Sequence, residues 1–455
     1  MDTIAAIVTS PGEAGVSIVR VSGPECYVLA DKLFTCSPPL PSERKGYTFV
    51  YGRIGKDDEH IDEGLLLLFR QPHSYTAEDV VEFHCHGGGA SAQRVLRACL
   101  ETGARLAEPG EFTRRAFLNG RIDLVQAEAV MDVIHSHSER SQVAAVQQLE
   151  GKLSQKFDHL YNGLLEIAAQ LEATLDFPED ELPESVIPKI RENIDCTRDG
   201  MTSLLDTWNE GHILRDGVLV VLSGKPNVGK STLLNCLLGH ERAIVSDIPG
   251  TTRDSIEEEF NLGGFPMRLV DTAGLRDATD EIEKLGIQRT RSYLEKADVH
   301  LHLIDLSQPA DDQSKTNLNE LIPGKSILIC NKTDLPRMFH VEQWPEGIPI
   351  VKTALLEDKG YEDLKNAILG LLSTSIDLSA RPHAVISERH RHALSLAQTE
   401  LQSVKELLSH EEVEESLVMA IPALRESLTR LGEVTGREYH EELLDQVFST
   451  FCIGK

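Results

Sequence analysis

The sequence predicts a multidomain protein: an α+β domain at the N-terminus, segments of an α-helical bundle, and a mostly parallel α/β domain. Three observations predict it. Residues 1–119 hold short apolar or alternating runs separated by turns. Leucines at a three-and-four spacing mark the chain on either side of residues 215–375, and inside that interval three apolar runs each end on a polar motif. A length of 455 residues fits about three domains at roughly 150 residues each.

In the first region, Ile4-Ala5-Ala6-Ile7-Val8, Val16-Ser17-Ile18-Val19-Arg20-Val21, Leu65 to Phe69 and Val80-Val81-Glu82-Phe83 read as strands, and Ser91 to Leu100 as a helix. From Asp123 the period becomes helical. Leu149, Leu153, Phe157, Leu160, Leu164, Ile167, Leu171 and Leu175 step by three or four until Asp176-Phe177-Pro178 stops the pattern, which predicts long helices in an antiparallel bundle. Helical spacing returns after about residue 380 through Leu394, Leu401 and Leu407. The two flanking stretches can form one bundle with the α/β domain inserted, or two separate bundles; periodicity fits both.

The α/β interval opens on Val218-Leu219-Val220-Val221-Leu222, short enough for a buried strand. It leads into Gly224-Lys225-Pro226-Asn227-Val228-Gly229-Lys230-Ser231, which fits the phosphate-loop pattern G-x-x-x-x-G-K-S/T, and a helix is expected from Ser231 through Thr232 onward. Its glycines let successive backbone N–H groups and the helix N-terminus face phosphate oxygens. Lys230 then reaches the terminal phosphates and Ser231 ligates Mg²⁺. Met267 to Val270 reads as a strand ending on Asp271-Thr272-Ala273-Gly274, a D-x-x-G that brings a carboxylate near the magnesium ion. Ser326 to Cys330 reads as another, ending on Asn331-Lys332-Thr333-Asp334. That N-K-x-D selects the base, because the Asp334 carboxylate accepts from the N1–H and exocyclic amine of guanine, where adenine has no donors. Thr353-Ala354-Leu355 stands where a backbone N–H meets the guanine oxygen. Ser246-Asp247-Ile248-Pro249-Gly250-Thr251-Thr252 is the expected covering loop, with Thr252 as a second Mg²⁺ ligand. Ordered motifs at strand ends predict a Ras-like, P-loop GTPase domain.

One common residue is missing. The position after D-x-x-G often carries a glutamine that orients the attacking water, but here it is Leu275. Arg276 and the acidic stretch Asp280-Glu281-Ile282-Glu283 either supply charge and orient the water or are solvated loop residues.

Composition excludes other classes. Hydrophobic content of 41% is that of globular cores rather than of a disordered or fibrous chain. Met1-Asp2-Thr3-Ile4 lacks the basic start of a signal peptide, and Leu65 to Phe69 is too short to cross a bilayer, so a soluble cytoplasmic protein with no membrane association is expected. Eight cysteines without a C-x-x-C pair fit reduced thiols. His84-Cys85-His86 looks metal-like, but successive side chains on a strand point different ways, which argues against a shared ion. A net charge of −28 repels nucleic acid at long range, so RNA contact requires a local basic patch or a partner protein. Cys452 lies four residues from the end, but Gly454 and Lys455 do not suit a prenylation box. Beside a lysine its thiol is either a reactive group or part of an inert tail.

Three segments together carry a resemblance over the whole chain. Glu108-Pro109-Gly110-Glu111-Phe112-Thr113-Arg114-Arg115-Ala116-Phe117-Leu118-Asn119-Gly120-Arg121-Ile122-Asp123-Leu124, the phosphate loop 224–231, and the ending Phe451-Cys452-Ile453-Gly454-Lys455 resemble the MnmE/TrmE family of tRNA wobble-uridine modification GTPases. The resemblance implies a folate-binding and dimerisation domain at 1–119, a helical domain made from 120–214 and 376–455, and an inserted GTP domain at 215–375. It implies a homodimer that binds GTP and GDP and works in a heterotetramer with a flavoprotein, MnmG/GidA. Together they would add an aminomethyl or carboxymethylaminomethyl group to carbon 5 of the wobble uridine of tRNA. The reagents implied are a tetrahydrofolate derivative in its 5-formyl or methylene form, FAD on the partner, and glycine or ammonia.

By motif position the resemblance also implies folate contacts at Arg20, Glu82, Arg121 and Lys455, with Arg121 standing where many relatives have lysine. It implies K⁺ held by Asn227, Ser246, Ile248 and Thr251, Glu283 orienting the water, Arg276 beside it, and Cys452 tied to the modification chemistry. Ser246 stands where some relatives have threonine. A ribosome-assembly or purely regulatory GTPase would share the phosphate loop and Asn331-Lys332-Thr333-Asp334; Arg20, Glu82, Arg121 and the tail separate those readings from the first.

Overall fold

A computed structural model of the chain describes residues 2–56, 59–136, 138–176, 186–240, 257–271, 292–341, 343–373, 385–409 and 413–455. They fall into two compact units: one of Met1–Met131, Leu149–Ile194 and Leu396–Lys455, the other of Asp132–Gln148 and Asp195–Ser395. Among the described residues no helix is long and apolar enough to cross a membrane.

The first unit contains a sheet of β1 (Ile4–Ile7), β2 (Val16–Ser22), β3 (Phe34–Thr35), β4 (Thr48–Lys56), β5 (Glu59–Phe69), β6 (Val80–His86) and β7 (Arg105–Leu106). Its order is β3-β4-β5-β6-β2-β1-β7, antiparallel throughout except for β1 with β7. The period-2 alternation decides which residues go inside. Val19, Val21, Leu66, Leu68, Val81 and Phe83 point inward and bury against helices Cys26–Leu33 and Gly89–Glu101. The same alternation turns Arg20, Glu82 and His84 to the opposite face. β4 is harder to read in the sequence, because its bulky Phe49 and Tyr51 face outward, 71% and 62% exposed, while Gly52 falls among its inward positions.

Helices complete this unit. In Lys152–Asp176 the residues Leu153, Phe157, Leu160, Leu164, Ile167 and Leu171 are all buried, as their three-and-four spacing predicts. Gly151, with φ +84, separates this helix from Glu139–Leu149, so the leucine pattern that begins at Leu149 spans two helices. The apolar stripe packs on helix Val413–Thr435, whose Leu417, Ala420, Leu424 and Leu431 are buried. The two run antiparallel, since Arg425 pairs with Glu172 at 2.7 Å and the later Arg437 with the earlier Asp158 at 2.8 Å.

The second unit is built on β8 (Val218–Gly224), β9 (Glu257–Leu262), β10 (Phe265–Asp271), β11 (Val299–Asp305), β12 (Ser326–Asn331) and β13 (Ile350–Lys352). The order is β13-β12-β11-β8-β10-β9, all pairs parallel except β9 with β10. One face buries Val220, Leu222, Leu269, Leu301, Leu303 and Ile329 against helices Lys230–His240 and Tyr361–Leu372. The other buries Leu219, Val221 and Val270 in one patch and Ile304, Leu328 and Cys330 in another. Burial on both faces explains why β8 and β12 read as nearly continuous apolar runs. Three such runs predict three strands, whereas six are present among the described residues. β11 escapes because His300 and His302 interrupt its leucines, and β9 because its exposed glutamates hide the pattern.

Candidate functional site

Chain order reverses at β8. The strands that follow it in sequence lie on both of its sides, with β11 on one and β10 on the other. In open parallel sheets such a switch point leaves a crevice at the carboxyl ends of the strands. There the chain leaves β8 in a tight loop, with Asn227 in the left-handed region at φ +63 and Gly229 at φ +109. Gly229 cannot be replaced by a larger residue without rearrangement, because an added Cβ would stand 2.3 Å from the Asn331 Nδ2. The loop ends in helix Lys230–His240.

Three of the motifs meet at this crevice. A cavity of about 590 Å³ is lined by Asn227, Gly229, Lys230, Ser231 and Thr232 from the first, Asn331, Lys332 and Asp334 from the third, and Leu355 from the last. Asn331 joins them. Its Nδ2 donates to the Val228 carbonyl at 2.9 Å, and its Oδ1 accepts from Thr353 Oγ1 at 3.1 Å and from the Leu355 N–H at 3.4 Å. Thr333 adds its backbone N–H and hydroxyl to the Thr353 carbonyl at 3.2 and 3.1 Å, so Ala354 and Leu355 follow an anchored residue. Lys230, only 6% exposed, lies across the loop and donates to the carbonyls of Gly224 and Lys225 at 2.9 and 2.7 Å. Asp271 ends β10 in register with Leu222 of β8. Ser246, Asp247, Ile248, Pro249, Gly250, Thr251 and Thr252, and Thr272, Ala273, Gly274, Leu275, Arg276 and Glu283, lie outside the described residues.

The structure adds residues that the motifs do not name. Asp305, at the end of β11, receives Lys332 Nζ at 2.6 Å, and Ser307 caps its other oxygen at 2.6 and 2.8 Å. Burial alone would raise the Asp305 carboxyl, but these hydrogen bonds prevail and hold it below the ordinary value. Lys225 pairs with Asp311, the N-cap of helix Asp312–Asn319, and this hydrogen bond holds Asp311 well below the usual carboxylate range. Beneath the loop, Ser223 Oγ lies between His300 Nε2 at 2.6 Å and His302 Nδ1 at 2.7 Å. Burial pushes both imidazoles from 6.5 down to about 4, so they are neutral near pH 7. No motif announces these residues, although an acidic residue closing an apolar run at Asp305 is a signal the sequence does carry.

A second constellation lies in the first unit. Arg20 on β2 and Glu82 on β6 are register partners, and Arg20 Nε donates to Glu82 Oε1 at 2.8 Å. The Arg20 guanidinium sits 4.8 Å from the centre of the Tyr75 ring and 5.6 Å from that of Phe112. The Arg121 guanidinium is 5.0 Å from the Tyr75 ring, and its Nη1 donates to the Tyr75 carbonyl at 2.8 Å. Burial would raise the Glu82 carboxyl, but His84 and Arg20 beside it outweigh that and lower it.

The C-terminal tail closes on the same residues. Phe112 N–H donates to the Lys455 carbonyl at 3.1 Å, Gly110 N–H to the Cys452 carbonyl at 3.4 Å, and Pro109 bridges to Ile453. Gly454, at φ +101, passes so close to β1 that an added Cβ would stand 2.6 Å from the Ile7 carbonyl oxygen. Burial and then the Arg20 charge lower the Lys455 ammonium, while Cys452 is exposed. Arg20, Glu82, Arg121 and Lys455, far apart in sequence, are thus brought near one another, the two arginines at the Tyr75 ring and Lys455 within reach of the Arg20 and Glu82 charges. Of the His84-Cys85-His86 run, Cys85 is buried and His86 pairs with Asp62 at 2.7 Å; among the described residues no group of three such side chains is arranged to hold a metal ion.

Comparison with known proteins covers nearly the whole chain. The family described as the MnmE helical domain matches residues 124–452, and the GTP-binding protein TrmE N-terminus matches residues 3–121. The tRNA modification GTPase MnmE of Natranaerobius thermophilus is 39% identical over 459 residues, covering 100% of this chain and 99% of its own. That of Moorella thermoacetica is 44% identical over 465 residues at the same coverages. Among solved structures, the G domain of the T. maritima FeoB iron transporter is 29% identical over 34% of this chain and 98% of its own, with a TM-score of 0.24.

Proposed function

The chain belongs to the MnmE family of tRNA modification GTPases, and from that premise we propose that it hydrolyses GTP in the cavity at the end of β8 as part of a tRNA modification reaction. The observation that carries this reading is the tie from Asn331 to Val228, Thr353 and Leu355, which draws the phosphate and base loops around one cavity. Asp334 there accepts from guanine, Lys332 is steadied by Asp305, and Lys230 leaves its loop carbonyls for the β- and γ-phosphates. Water attacks the γ-phosphorus, the bond to the β-phosphate oxygen breaks, and GDP and phosphate leave. Mg²⁺ fits the donor set of the Ser231 hydroxyl with Thr252, and supplies positive charge to the phosphate oxygens. K⁺ fits the Asn227 amide, which lines the same cavity, with Ser246, Ile248 and Thr251 as further oxygens. With Leu275 in place of glutamine, Glu283 is assigned to the water and Arg276 to neighbouring charge.

The cleft of Arg20, Glu82, Arg121 and Lys455 is assigned to a tetrahydrofolate derivative, 5-formyl or methylene. A carboxylate suits the donor edge of the pterin and the cations suit the anionic tail; the buried Arg20 Nη1 has no hydrogen-bond partner among the described residues, which favours a ligand there. Phe49 and Tyr51 on the open sheet face support homodimerisation. A flavoprotein, MnmG/GidA, carrying FAD in a cytoplasmic heterotetramer, completes the reading, and the exposed Cys452 thiol is assigned to the modification chemistry. Carbon 5 of the wobble uridine is the proposed target.

Nucleoside mass spectrometry of tRNA from cells lacking the protein tests this: wobble-modified uridine should disappear, and normal levels would sink the proposal. GTP turnover should be several-fold faster in KCl than in NaCl; equal rates would remove Asn227 from its role.

A further inference from the structure

Glu82 and His84 are two residues apart on β6 and so project to the same face of the sheet. One Glu82 oxygen accepts from Arg20 Nε at 2.8 Å. His84 Nε2 stands 3.5 Å from the other, too far for a well-formed hydrogen bond. His84 Nε2 and Arg20 Nη1 are both buried, and neither has a hydrogen-bond partner among the described residues. Two orphaned nitrogens therefore flank one carboxylate. Buried polar atoms are nearly always paired, and a desolvated one recovers its cost only when something pairs with it. His86, on the same face of the same strand, contrasts with this: it is exposed and pairs with Asp62 at 2.7 Å.

We propose that His84 is a ligand-contacting residue, the third member with Arg20 and Glu82 of an edge that recognises the heteroaromatic ring of a reduced folate. This rests on the folate reading of the cleft. The pterin edge carries N–H donors, a carbonyl and ring nitrogens. Glu82 accepts from the donors, Arg20 Nη1 donates to the carbonyl, and His84 Nε2 pairs with a ring nitrogen as donor or acceptor according to its tautomer. A hydrocarbon would leave all three unpaired, and a phosphate would meet the Glu82 charge. Arg121 and Lys455 then serve the anionic tail of the ligand, so the ring and tail ends can be separated by experiment.

Calorimetric titration of the full chain with 5-formyltetrahydrofolate, and with the corresponding pterin lacking the glutamate tail, tests this. His84→Leu should weaken both ligands about tenfold, the loss of one buried hydrogen bond. His84→Gln keeps a nitrogen donor at similar reach and should stay within about threefold of wild type. Arg121→Ala should weaken the folate but not the tail-less pterin. Circular dichroism melts of both His84 variants separate lost contact from lost fold. Wild type that binds neither ligand overturns the folate reading and this inference with it. Wild type that binds both, with a folded His84→Leu binding equally well, overturns the role of His84 alone. Uridine 5′-monophosphate competing as well as the pterin would also overturn it, because the edge would then read a base rather than a folate.

Discussion

The nucleotide cavity and the Arg20–Glu82 cleft are built in opposite ways. The cavity is made of short consecutive stretches at strand ends, where backbone turns and neighbouring residues do the work: Gly224–Thr232 is one segment, Asn331–Asp334 another, Thr353–Leu355 a third. The second constellation takes single residues from positions 20, 75, 82, 112, 121 and 455, none adjacent to another. A phosphate needs many N–H groups in a row, which only a continuous turn supplies. A flat ring with a charged tail needs a few side chains aimed from several directions, which only a folded sheet supplies.

That contrast can be broken or sharpened by substitution. The largest effect is expected for Lys230→Ala, which removes the cation meant for the phosphates: GTP turnover should fall about 10²- to 10³-fold in a steady-state phosphate-release assay. A fall below tenfold would mean the cavity does not use its lysine. Asn331→Ala should come next, since it strips the partners of Val228, Thr353 and Leu355 together. GDP affinity should drop roughly 10- to 100-fold by fluorescent-nucleotide titration. An unchanged affinity would mean that the loops hold their places without the tie.

In the cleft, Glu82→Gln keeps the shape but leaves the largely buried Arg20 without its counter-charge. Chemical denaturation should report a loss of about 2 kcal/mol, and no loss would show that the pair contributes nothing to the sheet. The smallest effect concerns pH. His300 and His302 titrate near 4 in the fold against 6.5 when free, so the folded state binds fewer protons in between. Their contribution is complete above about pH 6.5 and is lost as pH falls toward 4. The urea midpoint should decline across that window in wild type and decline less in the His300→Asn, His302→Asn double variant. The lowered carboxyls of Asp305 and Glu82 lose their contribution as pH falls below their ordinary values of 3.8 and 4.5.

Legibility followed the same division. Gly229, Lys230, Asn331 and Asp334 are readable because each pair stands within one short motif at the end of a strand. Asp305 and Asp311 hold Lys332 and Lys225 of these motifs, yet no sequence pattern marks them, since what matters is the strand or helix end they close, not their neighbours in sequence. In the sequence His84 stands in a metal-like run, and strand geometry dissolves that run by sending Cys85 inward and His84 outward. The leucine pattern from Leu149 was correct in period yet crossed a break at Gly151, because a left-handed glycine between two helices leaves the hydrophobic spacing nearly intact.

By itself the sequence determined the apolar strands β8, β10 and β12 and the motif residues that follow them, and it carries the expectation of guanine at Asp334. Those are local properties: strand burial, turn geometry and hydrogen-bond type are encoded within a few residues of one another. Only the tertiary structure decided that β11 lies beside β8, that Asn331 ties three loops together, and that a tail ending at Lys455 hydrogen-bonds Gly110 and Phe112 and brings the Lys455 ammonium within reach of the Arg20 and Glu82 charges. Such pairings depend on which distant surfaces bury one another, and hydrophobic burial is non-directional, so no short pattern specifies them.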